Sequence, residues 1–300
     1  MTPEVTSLGY LVITAEDLPA WREFAESILG LQVTRSPDGT DDDALYLRVD
    51  ERSWRIAVEP GSNGGVVGIG LEVSTREALD SLRKRLANSG TQITEVPELA
   101  ARRGVLDVFT ALDPSGHPIE FFYGAKSDRE PFVSPRGAHF VTGTQGLGHI
   151  VLFVDDHEKT REFYVNTLGF RVSDMLIMGP DCSFTSPNPR HHTVAFVALP
   201  GVEPALQHLM LEVDEIDAVG RALDRVVDND VPLSLTLGRH TNDHMLSFYC
   251  ESPSGVKVEY GYGGMLVGGD HTTGHFDAAS VWGHRPPPGA EVMDGLGAED

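Results

Sequence analysis

His149, His208 and Glu259 are the residues of this chain best suited to hold a metal, and they lie 59 and 51 residues apart. Those gaps fit no local metal motif such as HExxH, in which one stretch of helix supplies two ligands. They make sense only if a repeated architecture brings three distant strands together. Such a repeat is visible. Residues 8–34, LGYLVITAEDLPAWREFAESILGLQVT, return as residues 147–173, LGHIVLFVDDHEKTREFYVNTLGFRVS, with Leu-Gly, Arg-Glu-Phe and Leu-Gly in phase. Leu71-Glu72-Val73 matches Leu211-Glu212-Val213, and Pro114-Ser115-Gly116 with Glu120 matches Pro253-Ser254-Gly255 with Glu259. Where the second copy has His149, His208 and Glu259, the first has Tyr10, Gly68 and Glu120. Only the second copy can hold a metal with this set.

Two imidazoles and one carboxylate on one face leave coordination positions open, the arrangement used by non-haem Fe(II) oxygenases. With no thiolate in the set, Fe(II) is the expected ion and Mn(II) the second choice, while Zn(II) also suits the ligand types. Either histidine alone on an apolar strand would equally serve as a hydrogen-bonded core residue. Glu259, between Val258 and Tyr260, adds weight, because a buried carboxylate must be paired or ligate a metal.

The elements that position these residues recur as well. Each half opens with a strand (10–14; 149–154) followed by a helix starting near Asp17 or Asp156. Phe163, Thr167 and Leu168 suggest one apolar stripe, and Gly30 and Gly169 suit helix C-caps. The unit restarts within each half, where strands 67–73 and 208–213 lead to helices 75–89 and 215–229. This predicts an α+β fold of two tandem domains, each of two βαβββ modules. The expected domains are 1–135, without a metal site, and 143–300, carrying the active site, with a fraying tail from about 285. The Pro-, Ser- and Gly-containing stretch 126–143 separates them.

Composition narrows the partners. The formal charge of −22, from 45 acidic against 23 basic residues, argues against nucleic acid and anionic membranes. No apolar run approaches the ~20 residues of a membrane span, and no signal-peptide pattern opens the chain. Cys182 and Cys250 therefore read as free thiols in a reducing cytoplasm.

One further stretch is distinctive. Gly238-Arg239-His240-Thr241-Asn242-Asp243-His244, then Phe248-Tyr249, Pro253-Ser254-Gly255 and Glu259 resembles the signature of type I extradiol ring-cleavage dioxygenases, in the vicinal oxygen chelate superfamily. Asn188-Pro189-Arg190-His191-His192 and Trp282-Gly283-His284 extend the likeness over nearly the whole chain. Its strongest flavour is that of two-domain 2,3-dihydroxybiphenyl 1,2-dioxygenases. One departure, Ser252, falls at a turn before proline, where Ser is acceptable. The resemblance implies ring cleavage of a catechol with incorporation of O2, in bacterial aromatic degradation by a homo-oligomer. It implies His149, His208 and Glu259 as iron ligands and His192 as acid/base. It makes His240 and Tyr249 hydrogen-bonding partners of the catecholate, Asp243 a supporting acid and Asn242 an auxiliary substrate contact.

Adjacent His191 and His192, read as strand residues, point to opposite faces, so His191 is expected to be structural. His244 reads as surface, and His157, His271 and His275 lack supporting context. Leu176, Ile177, Phe184 and Phe196 are the candidate apolar pocket residues. Two other functions compete: a glyoxalase- or epimerase-type metal enzyme on the same modules, and a non-catalytic small-molecule binder. The stretch from His240 to Tyr249 argues against the first and the intact triad against the second.

Overall fold

The computed structural model describes residues 4–40 and 43–287. Four βαβββ modules follow one another. The first is β1 (Val5–Ala15), α1 (Leu18–Glu23), β2 (Gln32–Thr34), β3 (Leu45–Arg48) and β4 (Ile56–Pro60). The second is β5 (Val66–Val73), α2 (Arg76–Asn88), β6 (Ile93–Glu95), β7 (Asp107–Leu112) and β8 (Pro118–Tyr123), with an extra short helix, α3 (Pro97–Arg103), before β7. The third is β9 (His149–Phe153), α4 (His157–Arg161), β10 (Arg171–Ile177), β11 (Asp181–Ser186) and β12 (Val194–Val197). The fourth is β13 (Ala205–Val213), α5 (Ile216–Asp228), β14 (Leu233–His240), β15 (Leu246–Glu251) and β16 (Lys257–Tyr262). Two strands then follow that periodicity did not reveal, β17 (Gly274–Phe276) and β18 (Ser280–Trp282). The α+β fold of paired modules is as the repeat predicts.

Local chemistry explains the helices. Asp17, Thr75 and Asp156 cap α1, α2 and α4, each accepting a hydrogen bond from a backbone N–H three residues on. Leu79, Leu82 and Leu86 form the buried stripe of α2, and Ala218, Val219, Ala222 and Val226 that of α5. The expected stripe of Phe163, Thr167 and Leu168 needs correction. After α1 and α4 the chain continues as wider π-turns, Phe24–Leu29 and Glu162–Thr167. Leu168 N–H bonds to Phe163 O at 2.9 Å, a five-residue loop that keeps Phe163, Tyr164 and Leu168 buried and turns Thr167 partly outward. Gly30 and Gly169 leave these turns at φ +78° and +80°, where a side chain would be strained.

Among the described residues the strands form an eight-stranded sheet, β2-β3-β4-β1-β5-β8-β7-β6, and a ten-stranded one, β17-β10-β11-β12-β9-β13-β16-β15-β14-β18. Within each, two modules meet where their first strands pair antiparallel, β1 with β5 and β9 with β13. One apolar core runs through both halves. Trp21 Nε1 donates to Ser254 Oγ in the β15–β16 turn at 3.0 Å, and Arg225 Nε donates to Ile28 O at 2.9 Å.

Register decides where the triad stands. Met210 on β13 pairs with His149 on one side and with Glu259 on the other. Cross-strand partners share a face, as do residues two apart on one strand, so His208 joins them. His208 does not open its strand as expected; it is the fourth residue of β13, just after a register shift at Leu206. Gly148 allows this close meeting, since a Cβ there would lie 2.0 Å from Met210 O.

The first half repeats the register with other residues. Gly70 pairs with Tyr10 and Glu120. The Tyr10 ring lies 4.6 Å from both Trp54 and Phe122, filling the space. Tyr10 Oη donates to Glu120 Oε2 at 2.6 Å, and Arg103 grips the same carboxylate through two bonds of 2.9 Å. A Cβ at Gly68 would stand 2.4 Å from Glu120 Oε1. A guanidinium delivered by α3 thus neutralises the buried carboxylate where the second half gathers histidines. Arg103→Met should therefore destabilise the chain by about 3–5 kcal/mol, because it leaves an unpaired buried charge. In urea unfolding the double variant Arg103→Met/Glu120→Gln should recover much of that loss. Equal stability of Arg103→Met and wild type would contradict this.

Candidate active site

In the second half the three proposed ligands converge. His149 Nε2 stands 3.1 Å from Glu259 Oε2 and 3.2 Å from His208 Nε2, and His208 Nε2 stands 3.2 Å from Glu259 Oε2. For metal–donor bonds of about 2.1 Å, two donors lie about 3.0 Å apart at right angles and about 3.4 Å apart at the tetrahedral angle. The observed edges fall between these two values. Donor chemistry agrees. The Gln207 amide oxygen bonds His208 Nδ1, fixing a proton there and turning the Nε2 lone pair toward the shared point. Ser247 Oγ donates to Glu259 Oε1 at 2.6 Å, leaving Oε2 to the histidines. The residues present fit a divalent ion with open positions.

Electrostatics supports the same reading. Burial holds the His149 imidazole down to about 4, against the opposing pull of Glu259, so it stays neutral and able to ligate. Burial would raise the Glu259 carboxyl, but hydrogen bonds from His149, His208 and His240 hold it well below the usual range. His240 is the cationic member. Burial lowers it, yet the hydrogen bond and charge of Glu259, with the charge of Asp243, carry it up to about 9.

The other sequence-derived candidates surround this centre. His240 Nε2 lies 2.8 Å from Tyr249 Oη and 3.4 Å from Glu259 Oε1, while Nδ1 meets Ala279 O at 2.9 Å. The His192 ring packs 3.8 Å from that of His149. Asp243 is buried, with Oδ2 3.9 Å from His192 Nδ1 and Oδ1 accepting the Met245 N–H at 3.0 Å. Asn242 is 4% exposed, and its Nδ2 is buried without a hydrogen-bond partner among the described residues. All line one cavity of about 110 Å³ together with the triad. The rest of its wall is mainly apolar, including Val151, Leu176, Met178, Cys182, Phe184, Val197 and Leu235, with Gln207, Ser280 and His284 as its polar members.

Several expectations change. His191 and His192 are not in a strand and do not face opposite ways; their Nδ1 atoms are 3.0 Å apart. The bend after Arg190, whose side chain is anchored to Glu212 at 2.5 Å, turns both rings inward. Leu176 and Phe184 line the cavity as expected, but Phe196 belongs to the core and Ile177 is 46% exposed, since β10 and β12 present them to other faces. His271 does have context, with Nε2 3.3 Å from Asp174 Oδ1, and His157 bonds Ser183 Oγ at 2.9 Å. His244 is exposed, as read. The chain is held as far as Arg285, where Arg285 N–H bonds Thr236 Oγ1 at 3.1 Å; residues 288–300 of the expected tail lie outside the described residues. His284 was missed as a site residue. Its ring lies 4.2 Å from that of His240 and its Nε2 meets Ser247 O at 3.0 Å. Both cysteines are free, and burial pushes each thiol up to about 12, so neither is a nucleophile at neutral pH. No helix among the described residues is long and apolar enough to cross a membrane.

Paired modules and an open His-His-Glu centre define the class, and comparison with known proteins agrees. Residues 146–260 match the Glyoxalase/Bleomycin resistance protein/Dioxygenase superfamily, and residues 8–61 match the first domain of dihydroxybiphenyl dioxygenase. The chain is 42% identical to the biphenyl-2,3-diol 1,2-dioxygenase of Paraburkholderia xenovorans (strain LB400), over 94% of this chain and 95% of that one. It is 38% identical to the iron-dependent extradiol dioxygenase of Rhodococcus jostii (strain RHA1), over 93% and 97%. The crystal structure of BphC, a halotolerant catechol dioxygenase, superposes with a TM-score of 0.90 at 36% identity, covering 94% of this chain and 95% of that one. The chain belongs to the type I extradiol ring-cleavage dioxygenases of the vicinal oxygen chelate superfamily, and it is a metal-dependent enzyme of that family.

His149→Ala, His208→Ala and Glu259→Ala should each lose tightly bound metal and activity, since two ligands leave a weak site of the wrong geometry. Glu120→Ala should keep the metal. Elemental analysis showing metal lost in Glu120→Ala and kept in Glu259→Ala would overturn the assignment of the active half.

Proposed function

We propose that the chain opens the ring of a catechol carrying an apolar substituent, of the 2,3-dihydroxybiphenyl type, with Fe(II) as its metal and O2 as co-substrate. One observation carries the reading: three donor atoms 3.1–3.2 Å apart stand at the wall of a cavity whose polar groups gather on one side and whose other side, with Val151, Leu176 and Phe184, is apolar. His149, His208 and Glu259 hold the ion. When bound, the ion supplies Lewis acidity toward the catechol oxygens and the one-electron chemistry that O2 requires.

The chain's own residues handle binding and protons. Cationic His240 and the Tyr249 hydroxyl donate hydrogen bonds to a catecholate oxygen, and Asn242 Nδ2 offers a further donor. Asp243 offsets their charge and orients the loop. His192 takes a proton from a catechol hydroxyl at Nε2 and returns one to the product. Burial, then the charges of His149 and His191, hold its imidazole well below the ordinary value, in the neutral form that a proton acceptor needs. Val151, Leu176 and Phe184 seat the apolar substituent and keep water from the reacting ring.

Residues 1–135 form the domain without a metal site and residues 143–300 the catalytic domain. The enzyme works in the cytoplasm as a homo-oligomer; the two free, buried cysteines suit a reducing compartment. The test is O2 uptake by Fe(II)-loaded enzyme on 2,3-dihydroxybiphenyl, 3-methylcatechol and catechol. kcat/KM should fall in that order, because each step removes apolar substrate surface that packs against the cavity wall. Highest turnover on unsubstituted catechol would refute the substrate assignment, and equal activity with Zn(II) would refute the role of iron.

A further inference from the structure

Behind His192 runs a line of buried polar groups that neither the metal nor the apolar wall explains. His192 Nδ1 lies 3.0 Å from His191 Nδ1. His191 Nε2 lies 2.7 Å from Asp174 Oδ2. The other oxygen, Oδ1, accepts the Gly274 N–H at 2.6 Å and meets His271 Nε2 at 3.3 Å. Asp174 and His191 are almost fully buried, whereas the His271 side chain is 20% exposed. The line therefore runs from the cavity to the protein surface.

Donor counting gives a consistent placement of the protons along it. An ionised carboxylate only accepts, so His191 Nε2 must carry a hydrogen toward Asp174. Burial opposes ionisation of Asp174, but the hydrogen bonds from His191 and Gly274 hold its carboxyl below the ordinary range. With one proton on His191, its Nδ1 carries a lone pair, and the 3.0 Å contact is then favourable with His192 Nδ1 as donor. That leaves a lone pair at His192 Nε2, which has no hydrogen-bond partner among the described residues. His192 can thus accept from a ligand because His191 accepts from His192. His271 Nε2 donates to Asp174 Oδ1 and to Ser173 O, 3.1 Å away, which holds the carboxylate in this orientation.

We propose that Asp174 and His191 are positioning residues that set the tautomer of His192 and take up its second proton during turnover. As a substrate hydroxyl gives its proton to His192 Nε2, the Nδ1 proton of His192 passes to His191 Nδ1. His191 becomes an imidazolium against the Asp174 carboxylate, and His192 remains neutral. Return of a proton to product reverses both transfers. No proton is left over and no co-reactant is needed. The pair places the positive charge one residue away from the metal ligands, beside a buried anion already waiting for it.

This rests on the proposed role of His192, and the experiment separates the two. The first measurement is on the wild-type full chain, purified without added metal and labelled with 15N in histidine. Long-range 15N–1H correlation should show His192 protonated at Nδ1 and His191 at Nε2. Protonation of His192 at Nε2 would overturn the proposal whatever any variant does. The second measurement is steady-state kinetics with metal content and anaerobic catechol titration. Asp174→Asn and His191→Gln should keep metal and bind catechol within about threefold of wild type. Their kcat should fall at least about tenfold, less than the ~10²–10⁴-fold expected for His192→Gln, which removes the acid/base itself. A slow His192→Gln beside folded Asp174→Asn and His191→Gln enzymes of wild-type kcat would refute the relay alone. A His192→Gln enzyme of wild-type kcat would refute the role of His192 as well.

Discussion

A buried carboxylate at the centre of each sheet needs a positive partner, and the two halves of this molecule differ mainly in how they provide one. Glu120 and Glu259 occupy equivalent strands and are 3% and 1% exposed. An ionised carboxylate so far from water is tolerated only when charge or hydrogen bonds replace the lost hydration. The first half inserts a short helix and answers with Arg103. The second keeps histidines and answers with a cation site. Everything else about the catalytic half follows from keeping that site open on one side.

Symmetry of the modules supplies the geometry at no extra structural expense. Antiparallel pairing of β9 with β13, and parallel pairing of β13 with β16, bring His149 and Glu259 to either side of Met210. In the first half the identical register brings Tyr10 and Glu120 to either side of Gly70. There, Tyr10, Trp54 and Phe122 fill the room that the second half leaves as a cavity. The division of labour inside the catalytic half is equally plain. Apolar wall comes chiefly from β9 to β12, and polar groups chiefly from β13 to β16 and the loop around Asp243.

Much of this was legible in the sequence because duplication turns spacing into geometry. Four modules, the triad, and the gathering of His192, His240, Asn242, Asp243 and Tyr249 all follow from aligning one half with the other or from the resemblance. What lacked a period stayed hidden. Nothing repeated announces α3, so Arg103 as the counterion of Glu120 could not be seen. The chain from 266 to 285, which adds β17 and β18 at the sheet edges and brings His284 against His240, has no counterpart in the first half. Reading His191 and His192 as strand residues imposed an alternation that a bend removes, concealing the contact between their rings. Phe196 and Ile177 went astray for a related reason: which face of a strand becomes cavity depends on neighbouring strands, not on the strand's own pattern.

A crystal of the Fe(II)-loaded enzyme, with anomalous scattering recorded on both sides of the iron absorption edge, tests the central claim most directly. One iron peak per chain is expected, bonded to His149 Nε2, His208 Nε2 and Glu259. Beside Glu120 there should be no peak, because Arg103 already supplies its cation. A peak at the neighbouring cluster of His191, His192 and Asp243, or a second iron at Glu120, would contradict it.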